Sequence, residues 1–130
     1  MVKIGIIGAY RGSDFAKAAK DFTDAKVTAI CERDEKRIEW LKQRDPENYT
    51  YFSDFDEMLN SDIDAVILCN YFCEHAPFAI KALKAGKHVL SETLSNITMA
   101  EGVALKRAVE ESGKIYMIGE NYPYMCALME

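Results

Sequence analysis

Six short apolar runs rich in β-branched residues recur along the chain, each separated from the next by a stretch of helical period. They are Lys3–Ile7, Lys26–Cys31, Tyr49–Phe52, Ala65–Cys69, His88–Leu90 and Ile115–Ile118. The run AVILC at Ala65–Cys69 is continuous rather than alternating, so both of its faces need cover. A central strand of a parallel sheet meets that need, because its crossover helices pack on both sides. Strand and helix in strict alternation predict an α/β, doubly wound parallel sheet of about six strands in the order 3-2-1-4-5-6, with right-handed crossovers.

The intervening segments carry helix signals. Phe15, Ala18, Ala19 and Phe22 recur at one-face spacing. Asp34 is placed to cap a helix that buries Ile38 and Leu41 beside Trp40, and Pro46 closes that unit. Phe55, Met58 and Leu59 mark a brief helix, and Ala76, Ala79, Ile80 and Leu83 a longer one ended by Gly86. Thr98-Met-Ala-Glu101 reads as a capping box opening a helix that runs to about Ser112, with Gly113 as its stop.

Composition narrows the function classes. With 130 residues, 49% apolar and 28% charged, the chain is most simply one globular domain with a proper core. No apolar stretch approaches the length of a membrane span, and the first residues enter a strand with no basic leader, so neither a membrane association nor a signal peptide is expected. The net charge of −5, with lysines and arginines dispersed, argues against nucleic acid as a partner. Cys31, Cys69, Cys73 and Cys126 form no paired C-x-x-C motif, which fits reduced thiols in the cytoplasm. Neither a metal set nor a Ser/His/Asp order is apparent.

In such a sheet the ligand crevice lies beyond the C-terminal strand ends where strand order reverses, between the first and fourth strands. The loops at Ala9–Gly12 and Asn70–Cys73 therefore matter most. The first reads GAYRGS, a damaged G-x-G-x-x-G with Tyr10 in the place of the second glycine and Ser13 in that of the third. On its own this is equally a plain strand-to-helix turn. As a phosphate loop, Gly8 supplies the tight turn and the helix N-terminus favours an anion. Either the loop swings aside from Tyr10, with Arg11 or the Gly12 amide as phosphate partner, or affinity falls. Glu32, ending the second strand, suits hydrogen bonds to ribose hydroxyls and repels a 2′-phosphate. Arg33 beside it could stack on adenine or pair with that phosphate, so NAD is favoured and NADP stays open.

The stretches VKIGIIGA, VTAICERD, FDEMLNSDIDAVILCN, HAPFAIKALKAGKHVLSE and ITMAEGVALKRAVEESGKIYMIGE together resemble the N-terminal domain of the Gfo/Idh/MocA oxidoreductases. Asp62–Glu92 carries the most specific part, with DIDAV, His75-Ala76, the AGKHV segment and a following Ser-Glu in family order. The resemblance implies a Rossmann domain over 1–120 that binds a nicotinamide dinucleotide. It further implies that 121–130 begin the connection to a second α/β domain, which completes the substrate site and often mediates homo-oligomerisation. The apolar Met125–Met129 stretch fits that expectation of a first domain in a longer protein. Substrates in the family are mostly sugars, inositols and related polyols, and the reaction is hydride transfer at a carbon bearing oxygen. From this domain alone no turnover is expected.

The resemblance also places residues. Gly8, Tyr10, Arg11 and Gly12 would surround the pyrophosphate, Glu32 and Arg33 the adenosine end, and Asn70, Tyr71, His75, Glu92 and Thr93 the nicotinamide side. His75 could equally cap or pack, Tyr71 could simply cover the crevice, and Asn121 could lie by the nicotinamide or in a frayed terminus. One departure is consequential. Where the family reads Glu-Lys-Pro, this chain reads Glu92-Thr93-Leu94. Threonine supplies no cation and no proton at neutral pH, so no catalytic residue is assigned. Three outcomes stay open: a group from the second domain does the lysine's work, the chain is a non-catalytic scaffold, or the chemistry is glycoside cleavage with bound NAD.

Overall fold

Each apolar run becomes a strand and each helical period a helix in the computed structural model, which describes residues 1–21, 24–44 and 49–124. The strands are β1 (Val2–Ile7), β2 (Ala25–Cys31), β3 (Thr50–Phe52), β4 (Ala65–Leu68), β5 (His88–Glu92) and β6 (Tyr116–Gly119). The helices are α1 (Ala9–Ala18), α2 (Glu35–Arg44), α3 (Phe55–Leu59), α4 (His75–Lys84) and α5 (Met99–Ser112). All pairings are parallel, and the sheet order is β3-β2-β1-β4-β5-β6. Phe22, Pro46, Cys126 and the Met125–Met129 stretch lie outside the described residues.

The core divides by sheet face. Val66 and Leu68 of β4 pack with α3, α4 and α5, whereas Ile67 packs on the other side with Ala9, Ala16 and Ala19 of the α1 segment and Leu41 of α2. The continuous AVIL run is thus covered twice, for the reason its composition suggested. Asp34 caps α2 through its carboxylate, which accepts from the Lys36 amide at 3.0 Å. The Thr98–Glu101 capping box is formed in both directions, and Gly86 and Gly113 adopt the positive φ of helix stops.

The buried stripe of α1 differs from the expected one. It runs through Ala9, Gly12, Ser13 and Ala16, and Ala18 is exposed while Phe15 is half-buried. Small side chains face the sheet because the helix lies very close to it. A Cβ on Gly12 would stand 2.4 Å from the Ile6 side chain. Of the expected residues, Ala19 just beyond α1 is buried in the same core and Phe15 packs against it. Among the described residues, no helix is long and apolar enough to cross a membrane.

Candidate functional site

The C-terminal ends of β1, β2 and β4 open onto a crevice of about 330 Å³, near the low end of the volumes typical of small-molecule sites. Ile7 pairs with both Cys31 and Leu68, so the loops that follow these strands converge there. Of the residues singled out from the sequence, Gly8, Tyr10, Glu32, Arg33, Asn70 and Tyr71 line it.

Gly8 makes the junction feasible. Its φ is 89°, and a Cβ there would come within 2.3 Å of the Cys69 carbonyl oxygen. Its own amide donates to the Cys31 carbonyl at 3.1 Å, tying β1 to β2 at the floor. Only a residue without a side chain passes through this gap. From Gly8 the chain enters α1, whose first-turn N–H groups have no acceptor within the helix. The Ala9 amide is satisfied by Glu32, donating to Oε2 at 2.8 Å. Among the described residues, the Tyr10 and Arg11 amides of the same turn have no hydrogen-bond acceptor.

Glu32 is fixed from two sides. Besides Ala9, it accepts from the Arg33 and Asp34 amides at 2.7 and 3.1 Å through Oε1. Its carboxylate therefore sits at the edge of the crevice beside the α1 N-terminus. Arg33 turns across to the opposite wall, where Nη1 donates to Glu74 at 3.2 Å. The other oxygen of Glu74 accepts from Asn70 Nδ2 at 3.1 Å. That leaves Asn70 Oδ1 buried without a partner at the end of β4.

The Tyr10 ring, 74% exposed, lies against the Arg37 guanidinium at 4.0 Å at the rim of the crevice that Tyr10 helps to line. The Arg11 side chain is engaged with carboxylates: its Nε donates to Glu92 at 2.8 Å and its Nη1 to Asp14 at 3.4 Å. The bond to Glu92 raises the Arg11 pKa further above its ordinary value. The Gly12 amide is not open, since it donates to the Gly8 carbonyl at 3.0 Å. Gly12 serves instead the close approach of α1 to β1.

His75, Glu92, Thr93 and Asn121 stand apart from the crevice lining. His75 is buried, with Nδ1 2.8 Å from the Leu94 carbonyl oxygen and Nε2 3.2 Å from that of Asn70. It ties the loop after β4 to the loop after β5 and touches the crevice backbone at Asn70. The Thr93–Leu94 peptide is cis. Thr93 Oγ1 donates to Glu120 at 3.3 Å, and Asn121 is exposed beyond β6. Burial pushes the Cys31 and Cys69 thiols up to about 12, so both are inert beneath the crevice. Among the described residues, no three ligands gather to hold a metal. Sequence reasoning missed Asp34, Glu74 and Arg37. Glu74 had one usable signal, its position four residues after Asn70 at the start of a helix.

These features suit a diphosphate flanked by a diol: open helix amides, a fixed carboxylate for hydroxyl donors and an orphaned amide oxygen. Residues 2–120 match the model of the Gfo/Idh/MocA group, an oxidoreductase family with an NAD-binding Rossmann fold. The chain belongs to that family. Within it, the chain is 30% identical over 133 residues to a glycosyl hydrolase family 109 protein of Shewanella pealeana, an alignment covering 95% of this chain and 29% of the relative. It is 29% identical over 118 residues to the myo-inositol 2-dehydrogenase of Thermotoga maritima, covering 90% of this chain and 34% of that enzyme. The crystal structure of scyllo-inositol dehydrogenase from Lactobacillus casei with bound NAD(H) and scyllo-inositol superposes with a TM-score of 0.82 at 25% identity. That match covers 95% of this chain and 39% of the other. The chain thus spans only about a third of the length of these Gfo/Idh/MocA relatives.

Proposed function

We propose that residues 1–120 are the cofactor-binding domain of an NAD-dependent Gfo/Idh/MocA oxidoreductase acting on a sugar, inositol or related polyol, and that 121–130 lead into a second domain. The observation that carries this reading is the pair of open amides at Tyr10 and Arg11, with the Glu32 carboxylate pinned beside them. The amides would hold the diphosphate, with Gly8 allowing its close approach. Glu32 would accept from the adenosine ribose hydroxyls. NAD is preferred over NADP because a 2′-phosphate would meet that carboxylate, and because the nearby Arg33 is already paired with Glu74. Asn70 Oδ1 would accept from the nicotinamide ribose, Tyr71 would cover it, and Glu92, Thr93 and Asn121 would border the ring.

A nicotinamide held there supplies a hydride acceptor for oxidation at a carbon bearing oxygen. This chain's part is to orient it. His75 keeps the Asn70 and Leu94 loops at fixed separation, and the Arg11–Glu92 pair braces α1 against β5. The cation that stabilises a developing alkoxide would come from the second domain, which would also complete the substrate site and support a homo-oligomer. Buried, unpaired Cys31 and Cys69 suit a reducing cytoplasm. A second reading, glycoside cleavage using bound NAD, is favoured by Thr93 in the lysine position and by the similarity to glycosyl hydrolase family 109 proteins.

Calorimetric titration of the chain with NAD and with NADP tests the cofactor assignment. Saturable one-to-one binding is expected, tighter for NAD. No heat of binding from either at millimolar concentration would overturn it.

A further inference from the structure

Tyr10 poses a steric problem that the fold has to solve. It occupies the loop position where backbone normally closes on a diphosphate, and its ring is 74% exposed, so burial does not hold it. Among the described residues, its ring contact is with the Arg37 cation. The Arg37 guanidinium lies 4.0 Å from the Tyr10 ring centroid and 3.9 Å from that of Trp40. Arg37 and Trp40 are three residues apart on α2 and so share one face of that helix. The guanidinium is held further by Nη2, which donates to the Ala9 carbonyl at 3.4 Å. Its Nε is buried with no partner. A charged donor is left unsatisfied for the sake of this position, which a plain surface arginine would avoid by turning outward. The contacts thus run from α2 through Arg37 to the glycine loop itself.

We propose that Arg37 is a positioning residue for the cofactor loop. Held on Trp40, it draws the Tyr10 ring toward α2 and keeps it off the Tyr10 and Arg11 amides, so that a loop lacking its second glycine still admits a dinucleotide. This inference rests on the cofactor reading above. It explains how an aromatic side chain is tolerated where the family loop uses none, and it assigns a task to a residue outside the loop. Planarity matters, because a guanidinium lies flat against a ring and an ammonium does not.

The test is a binding cycle on the 130-residue chain with NAD as the probe. Arg37→Ala is expected to raise the Kd for NAD about five- to tenfold, the scale of a partly desolvated cation–π contact. Arg37→Lys should fall between it and the wild type. Removing the ring as well, in Tyr10→Ala/Arg37→Ala, should return the Kd to within about twofold of wild type, because the obstruction is gone. A merely structural role for Arg37 would not be rescued in this way. Thermal melts followed by Trp40, the sole tryptophan, establish that each variant folds. Should Arg37→Ala not fold, Arg37→Lys with and without Tyr10→Ala gives the same comparison. Wild-type binding with an unchanged Kd in the folded arginine variant, or failure of the double variant to recover, overturns the role of Arg37 alone. Absence of wild-type binding removes the cofactor reading, and this inference with it.

Discussion

The two ends of the crevice are built from different materials. At the end proposed for the adenosine, the groups on offer are backbone amides of α1 and one carboxylate, Glu32, that is itself held by three amides. At the end proposed for the nicotinamide, side chains do the joining: His75 lies between the carbonyls of the loops after β4 and β5, and Arg11 of α1 bonds to Glu92 of β5. Backbone donors survive substitution around them. Tyr10 and Ser13 depart from the glycine pattern, yet the chain still enters α1 from a left-handed Gly8, and the Tyr10 side chain is exposed. A side-chain function has no such reserve. With Thr93 in the lysine position the loop is kept, through His75 and Glu92, but the cation is not. The first end combines backbone donors with one fixed carboxylate for binding, whereas the side chains of the second mainly hold loops in place.

Substitutions can break this contrast. Gly8→Ala should have the largest effect, since the added Cβ meets the Cys69 carbonyl and the φ is unsuitable for alanine. A loss above about 4 kcal/mol in urea unfolding, or no folded protein, is expected. His75→Ala should remove about 2–4 kcal/mol of stability, by leaving a cavity and unpaired carbonyls. Its Kd for NAD should change by less than about threefold, because the ring bonds to neither open amide. Glu32→Ala should show the converse. Stability should fall by about 1 kcal/mol, while NAD affinity drops about tenfold and NADP affinity far less, in paired titrations. If His75→Ala impaired NAD binding more than Glu32→Ala, the division between the two ends would be wrong.

Most of the fold was legible because the sequence signals were strong and local. The AVIL run, the Thr98–Glu101 box and the Gly86 and Gly113 stops each depend on neighbours a few residues away, and each formed as expected. The α1 face was read only in part: Ala19 is buried and Phe15 packs beside it as expected, but Ala18 is exposed and the helix also packs through Gly12, Ser13 and Ala16, which hydrophobic spacing does not count. Nothing local announces that a helix will sit so close to a strand. Within the site, Gly8, Glu32 and Asn70 could be placed because strand ends fix them. Arg11 could not, since its partner Glu92 lies 81 residues away and reaches it only through the sheet order. Arg37 was missed for the same reason: a helical arginine near a tryptophan reads as surface until the fold brings Tyr10 against it.

The central claim is that the β1–α1 junction receives the diphosphate. Amide chemical shifts of the ¹⁵N-labelled chain, followed during NAD addition, test it residue by residue. The account predicts saturating shifts at Gly8, Tyr10 and Arg11, together with Glu32, Arg33 and Asn70, sharing one Kd. Saturating shifts confined to other parts of the sheet, with these amides unmoved, would contradict it.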